Sequence, residues 1–452
     1  MTATGIDPAR VAGLKQREER AFSQARPRSL ALSGQAGAVM PNGVPMSWML
    51  TSYEHGPLFV ADARGSRFTD LDGHTYADFN VADMSMFCGY GPEPVTAAVA
   101  ARVAAGSQFM LPTEDAVWVA AELGRRYGLP KWQFTLSATG ANTEAIRVAR
   151  VRTGRDQVLL FDGKYHGHLD ETLVGLAGGK LVPEEAGLPA DVTTRTVVIP
   201  FNDPGALRAA LATRRIALVL TEPALTNNIG LLLPDDGFHA ELRAATSETG
   251  TLLAYDETHT QVVGPGGLTR RWGLRPDIVT TGKSIAGGVP LGAYGMTEDV
   301  AGVLARPGGQ DDSTPVVATG GTLFGNPLSM AAARAAMGEV LTSDAYAHSQ
   351  RLGAKLADGL EAAIGQVGLP WSVYRFWPRA GYVFGPALPR TAAEAAVTFD
   401  PALRHLIRVY LANRGVWEAL VRAGPTCSVA ADDSDVEAYL SAFGGLLAEL
   451  TG

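Results

Sequence analysis

Two cysteines, Cys88 and Cys427, are all that the 452-residue chain contains. They are too few for a disulfide scaffold and lack CxxC spacing, which fits a reducing cytoplasm. Long apolar runs are also missing, since stretches such as Ile216–Leu220 end in charge or proline too soon to cross a bilayer. The chain starts Met-Thr-Ala-Thr-Gly and leads into Lys15-Gln-Arg-Glu-Glu-Arg20, without the basic start and apolar stretch of a secretory leader. That stretch reads as an amphipathic surface helix. No dense Lys/Arg run occurs and the formal net charge is −8, so nucleic acid and anionic membrane have no electrostatic support as partners. Charged residues make up 19% and hydrophobic residues 46%, which excludes a disordered chain.

What is present is alternation. Residues 25–50 read as irregular, and the stretches from Leu58 and from Arg67 read as strands around turns, with Asp72-Gly73 as a turn signal. Val95–Val103, Glu114–Tyr127 and Asn142–Arg152 have helical spacing. Between and after them come short apolar or β-branched runs starting at Gln133, Gln157, Val197, Ala217, Thr251 and Asp277. Buried strands alternating with helices predict a largely parallel α/β sheet. Ligand sites in such sheets lie at the carboxyl ends of strands, where the polar clusters Ser137-Ala-Thr-Gly, Glu222-Pro and Asp256-Glu-Thr-His stand. Met330–Leu341, Ser349–Ile364 and Asp433–Leu450 are predicted to be helices.

Lys283 follows a buried strand and precedes a glycine-rich loop, in Thr280-Thr-Gly-Lys283-Ser-Ile-Ala-Gly-Gly. An average lysine is a solvated surface charge, but the apolar and glycine neighbours predict an amine shielded from bulk water. Gly282-Lys283-Ser284 matches the end of a phosphate-binding P-loop, yet the leading glycine would have to stand at Asp277, so that reading fails. A neutral, nucleophilic amine suited to Schiff-base chemistry remains. Asp256 ends another strand, where a carboxylate can cap a helix or pair with the nitrogen of a pyridine ring. Ser137, Ala138 and Thr139 open a helix, a position that offers amides and hydroxyls to a phosphate, although capping alone would also place Ser and Thr there. His166-x-His168 with Asp170 nearby has the look of a metal site, but no further ligands of suitable spacing follow and no metal is expected. Tyr165 is better read as an aromatic face for a flat cofactor.

In this order, Phe134-Thr-Leu-Ser-Ala-Thr-Gly-Ala-Asn, Tyr165-His-Gly-His, Glu222-Pro, Asp256-Glu, Pro276-Asp-Ile-Val-Thr-Thr-Gly-Lys283 and Gly321-Thr-Leu-Phe-Gly-Asn-Pro-Leu resemble class III aminotransferases. These are pyridoxal 5′-phosphate (PLP) enzymes of fold type I, and the likeness is nearest to the glutamate-1-semialdehyde aminomutase and amine transaminase group. The resemblance implies an α/β chain with a large domain over 76–330, built on a mainly parallel seven-stranded sheet flanked by helices. A smaller α+β domain would come from the N-terminal segment 1–75 and from 331–452. It implies that Lys283 holds the cofactor as a Schiff base and moves the substrate proton, with Asp256 pairing with the ring nitrogen. Tyr165 and Thr258 would cover the two ring faces, and His259 would approach the ring's phenolic oxygen. Ser137, Ala138 and Thr139 would hold the phosphate together with Thr322 of the partner subunit in a homodimer, and Glu222 would belong to the cofactor site.

Departures from the pattern bear on substrate. The family's Ser-Gly-Thr-Glu-Ala stands here as Ser137-Ala138-Thr139-Gly140-Ala141, and its Asp-Glu-Val as Asp256-Glu257-Thr258. The arginine that grips the substrate carboxylate in aminomutases aligns with Met49, and a second carboxylate-binding arginine of ω-amino-acid transaminases aligns with Gly424. Each missing arginine removes charge-assisted bonds of about 1.5–3 kcal/mol, unless Arg375, Arg379 or Arg422 substitutes. Asp83 stands where aminomutases carry an aromatic residue. Trp48, Met49, Met84, Met86 and Phe87 suggest an apolar pocket, although core packing would explain each methionine equally well. The leading expectation is thus an amine transaminase that passes an amino group from a primary amine or amino acid to a ketone or aldehyde through pyridoxamine phosphate. The alternative is an intramolecular 2,1-aminomutase. A PLP-fold protein without turnover is disfavoured by the presence of Lys283 and Asp256.

Overall fold

In the computed structural model, residues 4–51, 58–226, 229–304, 317–419, 422 and 424–452 are described. The chain forms two units, one of residues 1–92, 344–388 and 395–452, the other of residues 93–343 and 389–394. The sequence places those boundaries at 75/76 and 330/331.

The second unit is built on seven strands: β1 (Lys131–Thr135), β2 (Gln157–Phe161), β3 (Thr196–Ile199), β4 (Ile216–Thr221), β5 (Leu252–Asp256), β6 (Ile278–Thr281) and β7 (Gly292–Met296). Their order in the sheet is β1-β7-β6-β5-β4-β2-β3. Strands β2 to β6 pair in parallel, whereas β7 runs antiparallel to both β6 and β1. Strand β4 is buried at every position, as a strand covered on both faces must be. The helix Ala138–Thr153 seals one face, burying Ala141, Ala145, Ile146, Val148 and Ala149 against residues of the sheet. It runs four residues N-terminal to the predicted start, because Ser137 caps it with its hydroxyl accepting from the Gly140 amide at 3.2 Å. The predicted helix 330–341 is shorter in α form, Pro327–Ala335, and passes into a π turn over Ala336–Val340.

The first unit packs the helices Pro8–Gln24, Ser343–Gln366, Pro401–Ala412 and Asp433–Thr451 around a large apolar core that includes Leu352, Leu406, Leu446 and Phe443. The segment expected to be irregular contains a helix, Pro27–Ala36. Proline at its first position starts it, but the residue before it supplies no side-chain cap. Asp72 does so from afar, accepting from the amides of Arg28 at 2.7 Å and Ser29 at 2.9 Å.

In this unit four consecutive non-glycine residues, Val81, Ala82, Asp83 and Met84, have φ of +54°, +44°, +52° and +72°. Left-handed backbone costs about 1–2 kcal/mol per such residue, so the turn needs anchors. Asp78 accepts from the amides of Asn80 at 2.9 Å and Val81 at 3.0 Å and from the Tyr90 hydroxyl at 2.8 Å. Burial pushes the Asp78 carboxyl up to about 6, against the lowering by these hydrogen bonds. A raised folded value means that the stabilisation belongs to the protonated form. It is complete below the unfolded value and lost as pH rises through about 6, at a cost of about 3 kcal/mol. Asp78→Asn keeps an acceptor for the two amides and removes the charge. We expect denaturant titrations to show the variant gaining about 2–3 kcal/mol on wild type between pH 4 and pH 7.5. A pH-independent difference would mean that Asp78 does not titrate in that window.

Candidate active site

Strand order brings the polar ends of β5 and β6 side by side, with Asp256 at the register position of Thr280. Asp256 is buried. Its Oδ2 accepts from the Asn142 side-chain amide at 2.8 Å and from His166 Nδ1 at 2.9 Å, and its Oδ1 from the Thr258 amide at 3.0 Å. Burial pushes this carboxyl up, but hydrogen bonds from His166, Thr258 and Asn142 outweigh it and hold the group below its ordinary value. It therefore stays ionised at neutral pH, as an acceptor with lone pairs left over. Asn142 is itself fixed: its amide also donates to the His166 carbonyl at 2.9 Å, and its oxygen accepts from the Thr280 hydroxyl at 2.6 Å.

Lys283 lies on the turn after β6, in a one-turn helix over Lys283–Ala286, with φ +53°. A lysine held in left-handed backbone is the kind of local strain that collects at functional sites. Its side chain is half-buried, so the expectation of an amine shielded from water is met only in part. Its Nζ lies 2.6 Å from Nε2 of His259, a buried residue of the loop after β5. Gln261 ties the two loops together, donating to the carbonyls of Thr258 and Gly282, both at 2.9 Å, and accepting from the Ser284 hydroxyl at 3.1 Å. Glu257, fully buried, anchors the same loop by accepting from the Thr260 hydroxyl and from the amides of Leu268 and Thr269. Burial raises its carboxyl.

The N-terminus of the helix Ala138–Thr153 faces these loops. A Cβ on Gly282 would stand 3.0 Å from the Ala138 amide nitrogen, a tight fit, and one on Gly167 (φ +94°) would stand 2.2 Å from Thr139 Oγ1, so the latter position needs glycine for this approach. Thr139 Oγ1 accepts from the His168 amide at 3.3 Å. Glu222, buried at the end of β4, accepts from the amide and hydroxyl of Thr226. Tyr165 is 38% exposed, a surface available for stacking. Thr322 is exposed on the loop after residue 317, its carbonyl held by Gln108, at the rim of a cavity of about 600 Å³ lined also by Gln133, Glu144, Tyr294 and Thr319. Among the described residues no cluster suits a metal ion.

Sequence reasoning missed Asn142, Gln261 and the pairing of His166 with Asp256. The first carried a signal, an asparagine inside a helix at a position flanked by alanine and other core residues, where a buried amide needs a partner.

The residues expected to line a substrate pocket belong to the first unit. There Trp48 and Met49 are each 43% exposed, whereas Met84 and Phe87 are core residues and Met86 is half-buried. Of the three arginines, Arg375 is engaged by Asp358 and Glu361 on the surface. Arg379 is buried, donating to Thr426 Oγ1 at 3.0 Å and to Met84 Sδ at 2.8 Å. Arg422 lies with its guanidinium 3.4 Å from the centre of the Phe399 ring.

A flat pyridine cofactor with a phosphate fits this donor set: an ionised buried carboxylate at the end of one strand, an amine on the turn after the adjacent strand, and a capped helix N-terminus approached closely by glycines. Fold and site thus define a PLP-dependent enzyme of fold type I. The chain belongs to the class-III aminotransferase family, whose profile matches residues 49–369. It is 35% identical over 424 residues to a glutamate-1-semialdehyde 2,1-aminomutase of Sorangium cellulosum, covering 92% of this chain and 95% of that one. A glutamate-1-semialdehyde aminomutase structure from Pseudomonas aeruginosa shares 40% identity at a TM-score of 0.93, covering 99% and 100% of the two chains. A variant of that enzyme with a lysine replaced by alanine was solved in complex with PMP. An ω-transaminase from Sphaerobacter thermophilus is 29% identical with a TM-score of 0.86, over 94% and 98%.

Proposed function

We propose that this chain moves an amino group within one small molecule, as a 2,1-aminomutase of the glutamate-1-semialdehyde type, with PLP on Lys283. Carrying that reading is the likeness to aminomutases along nearly the full length of the chain, at 35–40% identity. It reverses the order of preference drawn from the missing arginines. PLP, when bound, takes up amines through its aldehyde and draws electrons away from the carbon that bears them. Asp256 pairs with the ring nitrogen and sustains that pull by its charge. Lys283 holds the cofactor and, once displaced, gives and takes a proton at the substrate carbon. Ser137, Ala138 and Thr139 hold the phosphate at the helix N-terminus, with Thr322 of a second copy completing the cradle in a homodimer. Tyr165 and Thr258 fix the ring between two faces, and Glu222 supports the neighbouring turn.

A second reading, a transaminase between a primary amine and a ketone or aldehyde, keeps one specific support: Met49 stands half-exposed where the carboxylate-binding arginine of aminomutases aligns. Two incubations of the PLP-loaded protein separate the readings. With glutamate 1-semialdehyde alone, the shift moves the amino group from carbon 2 to carbon 1, and NMR should show 5-amino-4-oxopentanoate forming without any added amine acceptor. With 1-phenylethylamine and pyruvate, acetophenone should stay absent. Acetophenone without the shifted product would replace the aminomutase reading by the transaminase one.

A further inference from the structure

We propose that His259 is a catalytic residue of this site, acting as the proton acceptor and donor for the Lys283 amine. The inference rests on Lys283 being the cofactor lysine. Its geometric basis is the 2.6 Å separation of Lys283 Nζ and His259 Nε2, shorter than an ordinary N–H···N contact needs to be. Where Lys283 is an ammonium, which has only hydrogens to offer, Nε2 receives the bond through its lone pair and the ring hydrogen sits on Nδ1. The pair is a construction of the fold rather than a chance meeting of two long side chains. His259 is only 3% exposed, Lys283 is held in left-handed backbone, and Gln261, on the loop of His259, fastens it to the loop of Lys283 through two hydrogen bonds, to the Gly282 carbonyl and from the Ser284 hydroxyl.

An amine can attack an aldehyde only through a free lone pair. When Lys283 arrives as an ammonium, one N–H bond must break, and the proton passes to Nε2, where a new N–H bond forms. The lone pair left on Nζ can then add to the aldehyde carbon, and as the C=N bond forms the aldehyde oxygen leaves as water with the two hydrogens that Nζ still carried. When a substrate amine later displaces Lys283, the reverse transfer lets His259 return or withhold that proton, which sets whether the lysine works as an acid or a base. An imidazole suits this task near neutral pH. An amide side chain at the same place could hold the hydrogen bond but could not accept the proton.

The test uses cofactor-free protein and PLP with no substrate, following the growth of the visible absorbance of the bound cofactor after mixing. His259→Gln should reach the same final absorbance at least about a hundredfold more slowly than wild type. His259→Ala should be slow in the same way and regain speed when free imidazole is added, while wild type and His259→Gln stay unaffected by it. Borohydride trapping followed by peptide mapping confirms that Lys283 carries the group in each case. Capture by His259→Gln at the wild-type rate would overturn the proposal. So would a loss of final occupancy with unchanged rate, which would make His259 a cofactor contact and nothing more. Because no substrate is present, a wrong assignment of the aminomutase reaction leaves this result untouched. Failure of wild type itself to trap PLP at Lys283 would instead remove the reading beneath it.

Discussion

Lys283→Ala should yield a folded protein that traps no pyridoxyl group at position 283 on borohydride treatment and whose amino-transfer rate falls by at least about 10⁴-fold. Losing a positioned acid–base group alone costs up to about that factor, and this substitution also removes the nucleophile that holds the cofactor. The fold has little reason to fail. Alanine and lysine share the same difficulty at φ +53°, the side chain is only half-buried, and losing its bond to His259 costs about 1 kcal/mol. Lys283→Arg is the complementary variant: it keeps a cation opposite His259 but offers no amine that can be freed of its proton, so it should be equally inactive. Thermal unfolding of both variants, together with peptide mapping of the reduced adduct, separates lost chemistry from lost structure. Turnover within tenfold of wild type in Lys283→Ala would refute the assignment.

How far the sequence carried the reading can be judged residue by residue. Lys283 and Asp256 were legible because Asp256 ends one short buried strand and Lys283 follows just after another, and a charge there must serve either a cap or a ligand. Six strands of the sheet were legible as apolar runs spaced by helices, and the count of seven came from the family resemblance; the reversed strand, Gly292–Met296, is hidden in a glycine-rich stretch that reads as loop. Features sustained by distant partners were invisible. The helix Pro27–Ala36 is capped by Asp72, more than forty residues on, so no local signal marks its start. Asn142 meets Asp256 across 114 residues, and Gln261 gains its meaning only when two loops meet. Substrate choice was read from missing arginines, but an absent side chain says what a pocket does not bind through and leaves open what replaces it. Relatives outweighed that argument.

Asp256→Asn is expected to lower amino transfer by about 10³-fold, or about 4 kcal/mol, at full cofactor occupancy. Three donors surround the carboxylate. Asn142 and His166 both point at Oδ2 and the Thr258 amide at Oδ1. An asparagine can set its oxygen toward the first two, but its NH₂ group then faces the Thr258 amide, donor against donor. The negative charge that favours a protonated ring is gone as well, and with it the ring's pull on electrons. The pH dependence separates this from a general loss of fit. The folded value of Asp256 is below the ordinary one, so its contribution to stability is present above the unfolded value and lost only as pH falls through the folded one. The carboxylate therefore does not titrate anywhere in the working range, and any acid limb of the rate profile belongs to another group. Wild type and Asp256→Asn should share the same acid limb, displaced downward at every pH. If the variant instead matched wild type at low pH and diverged only as pH rose, Asp256 would be titrating in that range, contrary to its buried, triply hydrogen-bonded setting.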